Sequence, residues 1–360
     1  PIAHLPINGR ELPMEYRPLG RTDLRVSVIC LGTMTYGEQN SEAEGHEQMD
    51  YALERGVNFF DTAEMYSVPP RAETYGRTEE VIGTWIKASG KRDKVILATK
   101  VVGPGERFAH VRDGNPKFNR EHITAAVDAS LKRLQTDYID LYQLHWPERS
   151  TNTFGKLNYV HAEEQDWTPL EETLGVLADL IKEGKIRHIG LSNETPWGTM
   201  KCIALSDAMG LPRPVSVQNP YNLLNRSFEV GLAEVAIRED CGLLAYSPIA
   251  GGVLSGKYLD GAQPEGARMT LFPGNFSRYL KPNAEEATIA YAKLAKEYGF
   301  APADLANTFV NTRQFTTSNI IGATTMKQLE SNIDTAEMVL PEALLEEIEK
   351  VNQLYSNPCP

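Results

Sequence analysis

Cysteine is scarce in this chain: four residues in 360, Cys30, Cys202, Cys241 and Cys359. None stands in a C-x-x-C pair, and their scatter argues against a disulfide framework and against a zinc site. Three read as small buried hydrophobes and Cys359 as part of the tail. Long apolar runs are missing as well. None approaches the ~18 residues that a membrane span needs. The opening stretch "PIAHLPINGRELPMEYRPLG" has no apolar core of a signal peptide. A soluble, cytoplasmic protein is the expectation. Positive charge is in deficit: 36 Lys and Arg stand against 48 Asp and Glu, a net charge of −12. That argues against nucleic acid or an anionic membrane as partner, and leaves room for a small anionic ligand held by a local basic group. No linker or charge block divides the chain. The reading is one domain over 1–360, with 1–14 as a short N-terminal extension. A single α/β barrel reaches this length.

Eight short apolar runs are present instead: "VSVICLG", "NFFDTA", "KVILATKV", "YIDLYQLHW", "IRHIGLSN", "PVSVQNPYN", "GLLAYSPI" and "SNIIGAT". Each is too short for a helix, and continuous rather than alternating apolarity suits strands buried on both faces. Helix patterns lie between them. "SEAEGHEQMDYALERG" starts on Ser41, a good N-cap, and stops at Gly56. "NREHITAAVDASLKRLQ" starts on Asn119. "TPLEETLGVLADLIKEG" opens with Thr168 as N-cap and Pro169 as first helical residue, and "AEEATIAYAKLAKEYG" closes at Gly299. Strand then helix, repeated about eight times, predicts a closed (β/α)8 barrel. The stretch "PEALLEEIEKVNQLY" reads as a C-terminal helix. A doubly wound sheet would need a glycine fingerprint after its first strand; the only G-x-G, Gly103–Pro104–Gly105, has no third glycine. Two long loops, 102–119 and 147–167, follow strands and so belong to the catalytic face.

Barrel sites are assembled from residues at strand C-termini. The runs end in Asp61, Lys100, His145, Ser192–Asn193, Gln218–Asn219 and Tyr246–Ser247. Asp, Lys and His at three successive strand ends exceed what hydrophobic patterning requires. They read equally as a structural ion pair and a packed histidine. "GGVLSGKY" holds most of a P-loop, Gly251 then Gly256–Lys257, but Tyr258 stands where magnesium requires Ser or Thr. Nucleotide hydrolysis is therefore set aside, and no metal site is expected.

The segments "DTAEMY", "ATK", "LHWP", "GLSN", "VQNPYN", "AYSPIAGGVLSGKY" and "IGATTMKQLESN" occur in an order and spacing that resemble the aldo-keto reductase signatures. The resemblance runs from about Glu15 to about Asn332. It is greatest to the branch that includes the Tas-type proteins and the potassium-channel β subunits. It implies a (β/α)8 TIM barrel with a short N-terminal β-hairpin over its bottom, long catalytic-face loops and a C-terminal helix. It also implies a carbonyl reductase using NADP(H), with NAD(H) not excluded by charge. Tyr66 would be the general acid toward a small-molecule carbonyl substrate. Lys100 would lower its pKa, Asp61 would hold Lys100, and His145 would donate to the carbonyl oxygen.

The same resemblance assigns Ser192, Asn193 and Gln218 to the nicotinamide carboxamide and Tyr246 to its ring face. Ser247, Pro248, Ile249, Ala250, Gly251, Gly252, Leu254, Ser255, Gly256 and Lys257 would wrap the pyrophosphate. Arg268, Thr324, Gln328 and Asn332 would hold the adenosine end. Tyr36, Trp146 and Trp197 would form the pocket rim, with Phe154, Tyr159 and Trp167 on a long loop. The pattern departs in two places. Ser67 replaces the usual Gly after the catalytic tyrosine, followed by an insertion carrying Pro69 and Pro70. Ser331 stands at the usual carboxylate of the adenine end. Tyr66 and Tyr75 compete for the acid role: Gly76–Arg77–Thr78 favours Tyr75 by local likeness, and the five-residue step from Asp61 favours Tyr66. The alternative function is a regulatory, cofactor-binding interaction protein with little turnover.

Overall fold

In the computed structural model, residues 14–163, 166–274 and 277–360 are described. The proposed extension 1–14 lies outside them except for Met14. Two short strands, β1 (Tyr16–Pro18) and β2 (Arg25–Ser27), pair antiparallel as a hairpin. Eight more close a barrel: β3 (Ile29–Gly32), β4 (Phe59–Asp61), β5 (Ile96–Val101), β6 (Ile139–Leu144), β7 (Ile186–Ser192), β8 (Ser216–Pro220), β9 (Gly242–Tyr246) and β10 (Thr316–Ile321). Every neighbouring pair is parallel, and β10 closes on β3. This is the (β/α)8 TIM barrel that the eight apolar runs predict. Each run holds one barrel strand, except that β10 begins at Thr316, two residues before "SNIIGAT". The first also supplies the end of the hairpin, because Val26 and Ser27 pair with β1 before the chain turns into the barrel.

The helices are α1 (Glu42–Glu54), α2 (Arg77–Ser89), α3 (Arg120–Leu134), α4 (Leu170–Lys182), α5 (Pro196–Met209), α6 (Leu232–Arg238), α7 (Arg268–Leu271), α8 (Ala284–Glu297), α9 (Pro302–Asn311), α10 (Met326–Asp334) and α11 (Glu342–Leu354). Ser41 caps α1 through a capping box with Glu44. Asn119 caps α3, its side chain accepting from the His122 N–H. The cap of α4 is one residue later than the sequence suggests. Both the N–H and the hydroxyl of Thr168 are taken by Glu148 Oε1, at 2.9 and 3.2 Å, so Pro169 becomes the N-cap. The C-terminal helix α11 is present, and the chain then returns to the barrel. Cys359 is fully buried, its N–H donating to Leu224 O at 2.9 Å.

Alternation along the strands stacks the barrel interior. The hairpin closes the bottom: Leu19 and Val26 pack with Cys30, Phe59, Ala98, Leu141, Val215, Leu244 and Ile320. Two residues further along β4, β5 and β6, the inward positions become Asp61, Lys100 and Gln143. A polar layer thus rests on a dry floor, facing the C-terminal end of the strands.

Candidate active site

A cavity of about 1620 Å³ opens at that end. It exceeds the ~300–1,000 Å³ typical of a single small-molecule pocket. Asp61, Tyr66, His145, Ser192, Asn193, Gln218 and Tyr246 line it. Lys100 lies directly beneath, fully buried, its ammonium donating to Asp61 Oδ2 at 2.6 Å and to Thr62 O at 2.7 Å. Asp61 Oδ1 accepts from the side-chain amides of Gln143 (3.1 Å) and Gln218 (2.8 Å). The carboxylate is thus held on both oxygens, and the lysine has one direction left, toward Tyr66. Lys100 Nζ is 5.0 Å from the Tyr66 ring centroid. The His145 ring meets the same tyrosine edge-on, with centroids 5.8 Å apart.

Burial works against the Lys100 ammonium, but Asp61 and Tyr66 outweigh it, and its pKa sits above the usual value. Burial also dominates at Tyr66. Lys100 pulls the phenol down, as the sequence reading requires, yet desolvation is the larger effect and the net shift is upward. The phenol is therefore protonated at neutral pH. Burial and the Lys100 charge push His145 well below its usual pKa, so its ring is neutral. Its Nδ1 is buried without a hydrogen-bond partner among the described residues.

Tyr75 is elsewhere. Its hydroxyl donates to Glu64 Oε2 at 2.6 Å, and Glu64 also takes both Arg112 terminal nitrogens and the Val102 N–H. Tyr75 thereby helps tie the 102–119 loop beside the site. The insertion behind Tyr66 is anchored too. The Ser67 hydroxyl donates to Tyr36 O at 2.7 Å, and the Val68 N–H to Met34 O at 3.1 Å. Val68 and Pro70 reach the cavity wall.

Two rim assignments are corrected. Tyr36 is fully buried and its hydroxyl donates to Gln48 Oε1 at 3.1 Å. It is a post behind the Tyr66 loop, because its carbonyl is what Ser67 and Thr78 grip. Trp197 is 56% exposed and lies under the Arg149 guanidinium at 4.8 Å, outside the cavity. Arg149 itself is turned to Glu194. Trp146 does line the cavity, tilted against His145 with ring centroids 4.9 Å apart and met edge-on by Phe154 at 5.9 Å. Tyr159 and Trp167 do not line it.

The residues present suit a dinucleotide. Ser247, Pro248, Ile249, Gly251, Gly252, Ser255 and Lys257 line the cavity, and Ser247, Ala250, Gly251 and Gly252 all have positive φ, curling the backbone around its wall. Ala250, Leu254 and Gly256 shape this turn from behind without lining the cavity. Burial, and then the neighbouring Arg268 charge, depress the Lys257 pKa. Two cations crowded at one wall suit a phosphate. Arg268, Lys327, Thr324, Gln328, Ser331 and Asn332 continue that wall. Several assigned groups are engaged internally. Ser192 Oγ donates to Gln218 O, Asn193 Nδ2 to His145 O, and Thr324 donates to Gln328 Oε1. The Ser331 hydroxyl donates to Asp304 Oδ1 at 2.7 Å, so a carboxylate from α9 reaches the place where the sequence has serine.

Three residues escaped the sequence reading. Gln143 was readable from alternation, two residues before His145. Arg278 and Lys281, on a non-repetitive stretch, carry no motif; Arg278 Nη1 donates to the Tyr246 hydroxyl at 3.2 Å.

The comparisons with known proteins agree with this geometry. The chain matches the sequence pattern described as "Aldo/keto reductase family" over residues 28–353. It is 50% identical to Protein tas of Escherichia coli over 347 residues, 96% of this chain and 100% of that one. It is 34% identical to the uncharacterized oxidoreductase YrpG of Bacillus subtilis, over 96% of this chain and 97% of that one. It is 30% identical to a probable voltage-gated potassium channel subunit beta of Arabidopsis thaliana, over 94% and 97%. This membership supports an oxidoreductase. With a closed eight-stranded barrel and a match spanning most of its length, the chain belongs to the aldo/keto reductase family.

Proposed function

We propose that this protein reduces aldehydes or ketones to alcohols by hydride transfer from NADPH, with NADH the weaker donor, and that 1–360 forms one barrel domain. The observation that carries the reading is the meeting of Asp61, Lys100, Tyr66 and His145 at one cavity wall. The nicotinamide supplies the hydride. Tyr66, protonated at neutral pH, gives its proton to the carbonyl oxygen as charge develops there. Lys100 stabilises the phenolate left behind, and Asp61 keeps the ammonium charged and placed. The neutral His145 ring offers an N–H to the same oxygen. Ser192, Asn193, Gln218 and Tyr246 are the residues proposed at the nicotinamide, and Lys257, Arg268 and Lys327 at the phosphates. Arg268 and Lys327 at the adenosine end support NADPH. Among the described residues no helix is long and apolar enough to cross a membrane; the proposed location is the cytoplasm.

The test is steady-state consumption of NADPH and NADH with a panel of aromatic and aliphatic aldehydes, in the native protein and in Tyr66→Phe. Turnover that survives unchanged in Tyr66→Phe sinks the assignment. A second reading, a cofactor-binding interaction protein, draws on the relative named as a channel subunit. Tight cofactor binding without turnover across the panel would favour it.

A further inference from the structure

Glu64 lies inside "DTAEMY", three positions after Asp61 and two before Tyr66. It takes no part in the proposed chemistry, yet it is fully buried. Both of its oxygens are engaged. Oε1 accepts from the Val102 N–H at 2.6 Å and from Arg112 Nη2 at 2.7 Å. Oε2 accepts from Arg112 Nη1 at 2.9 Å and from the Tyr75 hydroxyl at 2.6 Å. Arg112 Nη2 also donates to Val102 O at 3.2 Å. A bidentate guanidinium–carboxylate pair of this kind fixes direction as well as distance. To form it the chain takes positive φ at two successive non-glycine residues, Arg112 (43°) and Asp113 (58°). Such residues are uncommon in that region, and an outlier of this kind points to a functional constraint.

The pair joins two walls of the cavity. Between Val102 and Arg112, residues Pro104, Gly105, Glu106, Arg107 and Phe108 line it. Phe108 is buried against Trp146 with ring centroids 5.3 Å apart, and the Trp146 indole N–H donates to Pro104 O at 2.9 Å. Trp146 lies against His145 at 4.9 Å, and His145 meets Tyr66 at 5.8 Å. The contacts therefore form a closed ring. It runs from Glu64 along the chain to Tyr66, across His145 and Trp146 to the 104–108 wall, then along the loop to Arg112 and back to Glu64. The Arg112–Glu64 pair is the one ionic link in that ring among the described residues. The other links are aromatic contacts, one neutral hydrogen bond and the chain itself.

We propose that the Arg112–Glu64 pair holds the general acid and the aromatic wall as one unit, so that Arg112 is a positioning residue that favours aromatic over small aliphatic aldehydes. This rests on the carbonyl-reductase reading and adds what sets the preference among carbonyl compounds. Neither side chain lines the cavity, so the effect passes through Tyr66 on one side and Phe108 on the other. An aromatic aldehyde gains from the Phe108–Trp146 wall only while that wall stands at a fixed place relative to the proton donor. A small aliphatic aldehyde makes little use of the wall.

The experiment compares benzaldehyde with propanal in the full-length protein, in Arg112→Met, in Arg112→Lys and in the double variant Glu64→Gln/Arg112→Met. The double variant leaves no buried charge unpaired, so a folding defect confined to Arg112→Met does not decide the outcome. Tyr75→Phe is the control that keeps the ion pair. The expected result is a native kcat/KM ratio favouring benzaldehyde by tenfold or more. The ratio drops at least tenfold in Arg112→Met and in the double variant, chiefly through KM for benzaldehyde, with NADPH affinity within twofold of native. Arg112→Lys recovers part of it and Tyr75→Phe leaves it unmoved. A native ratio near one overturns the proposal, and so does a ratio unmoved in both charge-removing variants, as a merely structural role would give. Should neither aldehyde turn over, the reductase reading fails separately. Hydrogen exchange then decides whether the pair couples the two walls. Faster amide exchange in both 62–68 and 102–111 of Arg112→Met, with α8 unchanged, supports the coupling, and any other pattern overturns it.

Discussion

The Tyr75 hydroxyl donates to Glu64 Oε2 at 2.6 Å, on a carboxylate already gripped by Arg112. Nine residues earlier, Tyr66 lies 5.0 Å from the Lys100 ammonium, measured to its ring centroid. The two phenols therefore answer to different tests. Tyr75→Phe removes one donor from Glu64, which keeps its arginine, and costs about 1–2 kcal/mol of stability with kcat retained. Tyr66→Phe lowers kcat by a hundredfold or more with cofactor affinity nearly intact. Thermal unfolding and steady-state rates on the two variants separate them; equal loss of kcat in both would contradict the assignment.

The barrel was legible because parallel strands buried on both faces leave uninterrupted apolar runs. The polar layer was legible because Asp61, Lys100 and His145 end those runs. What apolarity cannot reveal is hydrogen-bond partnership: "VSVICLG" divides between hairpin and barrel with no sign in its residues. Nor does an aromatic side chain announce which side of a loop it takes. Tyr36 turned inward, because its carbonyl anchors the Tyr66 loop, and Trp197 outward onto Arg149. Arg278 was out of reach, since its role comes from where an irregular segment crosses Tyr246.

Lys100 and Asp61 form a buried pair, and removal of either partner strands the other charge. Lys100→Met should cost about 3–5 kcal/mol. Lys100→Met/Asp61→Asn should cost less than the sum of the single changes, because no unpaired charge remains. Both singles should lose carbonyl reduction. Chemical denaturation of the four proteins in a double-mutant cycle gives the coupling; additive costs would mean that the pair is not the unit described.

Phosphate recognition rests on Lys257 and Arg268. Arg268→Gln should weaken NADPH by tenfold or more and NADH by much less, if the guanidinium serves the extra phosphate at the adenosine end. Lys257→Gln should weaken both dinucleotides alike, as a contact to their shared pyrophosphate would. Calorimetric titration of each cofactor in the absence of substrate reads this without turnover. The reverse pattern would exchange the two roles.

Gly83 marks where α2 meets α3. A Cβ there would lie 2.0 Å from Arg133 O, a backbone atom that cannot move aside alone. Across the same contact Arg133 Nε donates to the buried Glu79 at 2.7 Å. Gly83→Ala should therefore destabilise by about 1–3 kcal/mol or more, although alanine favours a helix. A rise in melting temperature would mean that the helices can part at no cost.

The pH behaviour follows from groups at the site. Burial holds the Tyr66 phenol above its usual pKa near ~10 despite Lys100, so the proton donor stays loaded across the neutral range. Burial and Lys100 hold His145 well below ~6.5, so it does not titrate there either. For a neutral aldehyde, kcat/KM should be flat between about pH 6 and 9 and fall only above ~10. An inflection near ~6.5 would assign a charged His145 and contradict the scheme. Stability carries the complementary signature. A histidine whose folded pKa is depressed leaves the unfolded chain binding more protons, so its contribution is complete above ~6.5 and is lost as pH falls below that value. Lys100 has the opposite sign: its raised folded pKa stabilises below the unfolded value near ~10.5, and this is lost as pH rises through the folded pKa. His188, also lowered chiefly by burial, acts in the same window as His145. His145→Gln should therefore reduce, without abolishing, the slope of stability with pH between about 5.5 and 6.5. Denaturation midpoints at several pH values measure that slope, and an unchanged slope would mean that His145 is not held neutral in the fold.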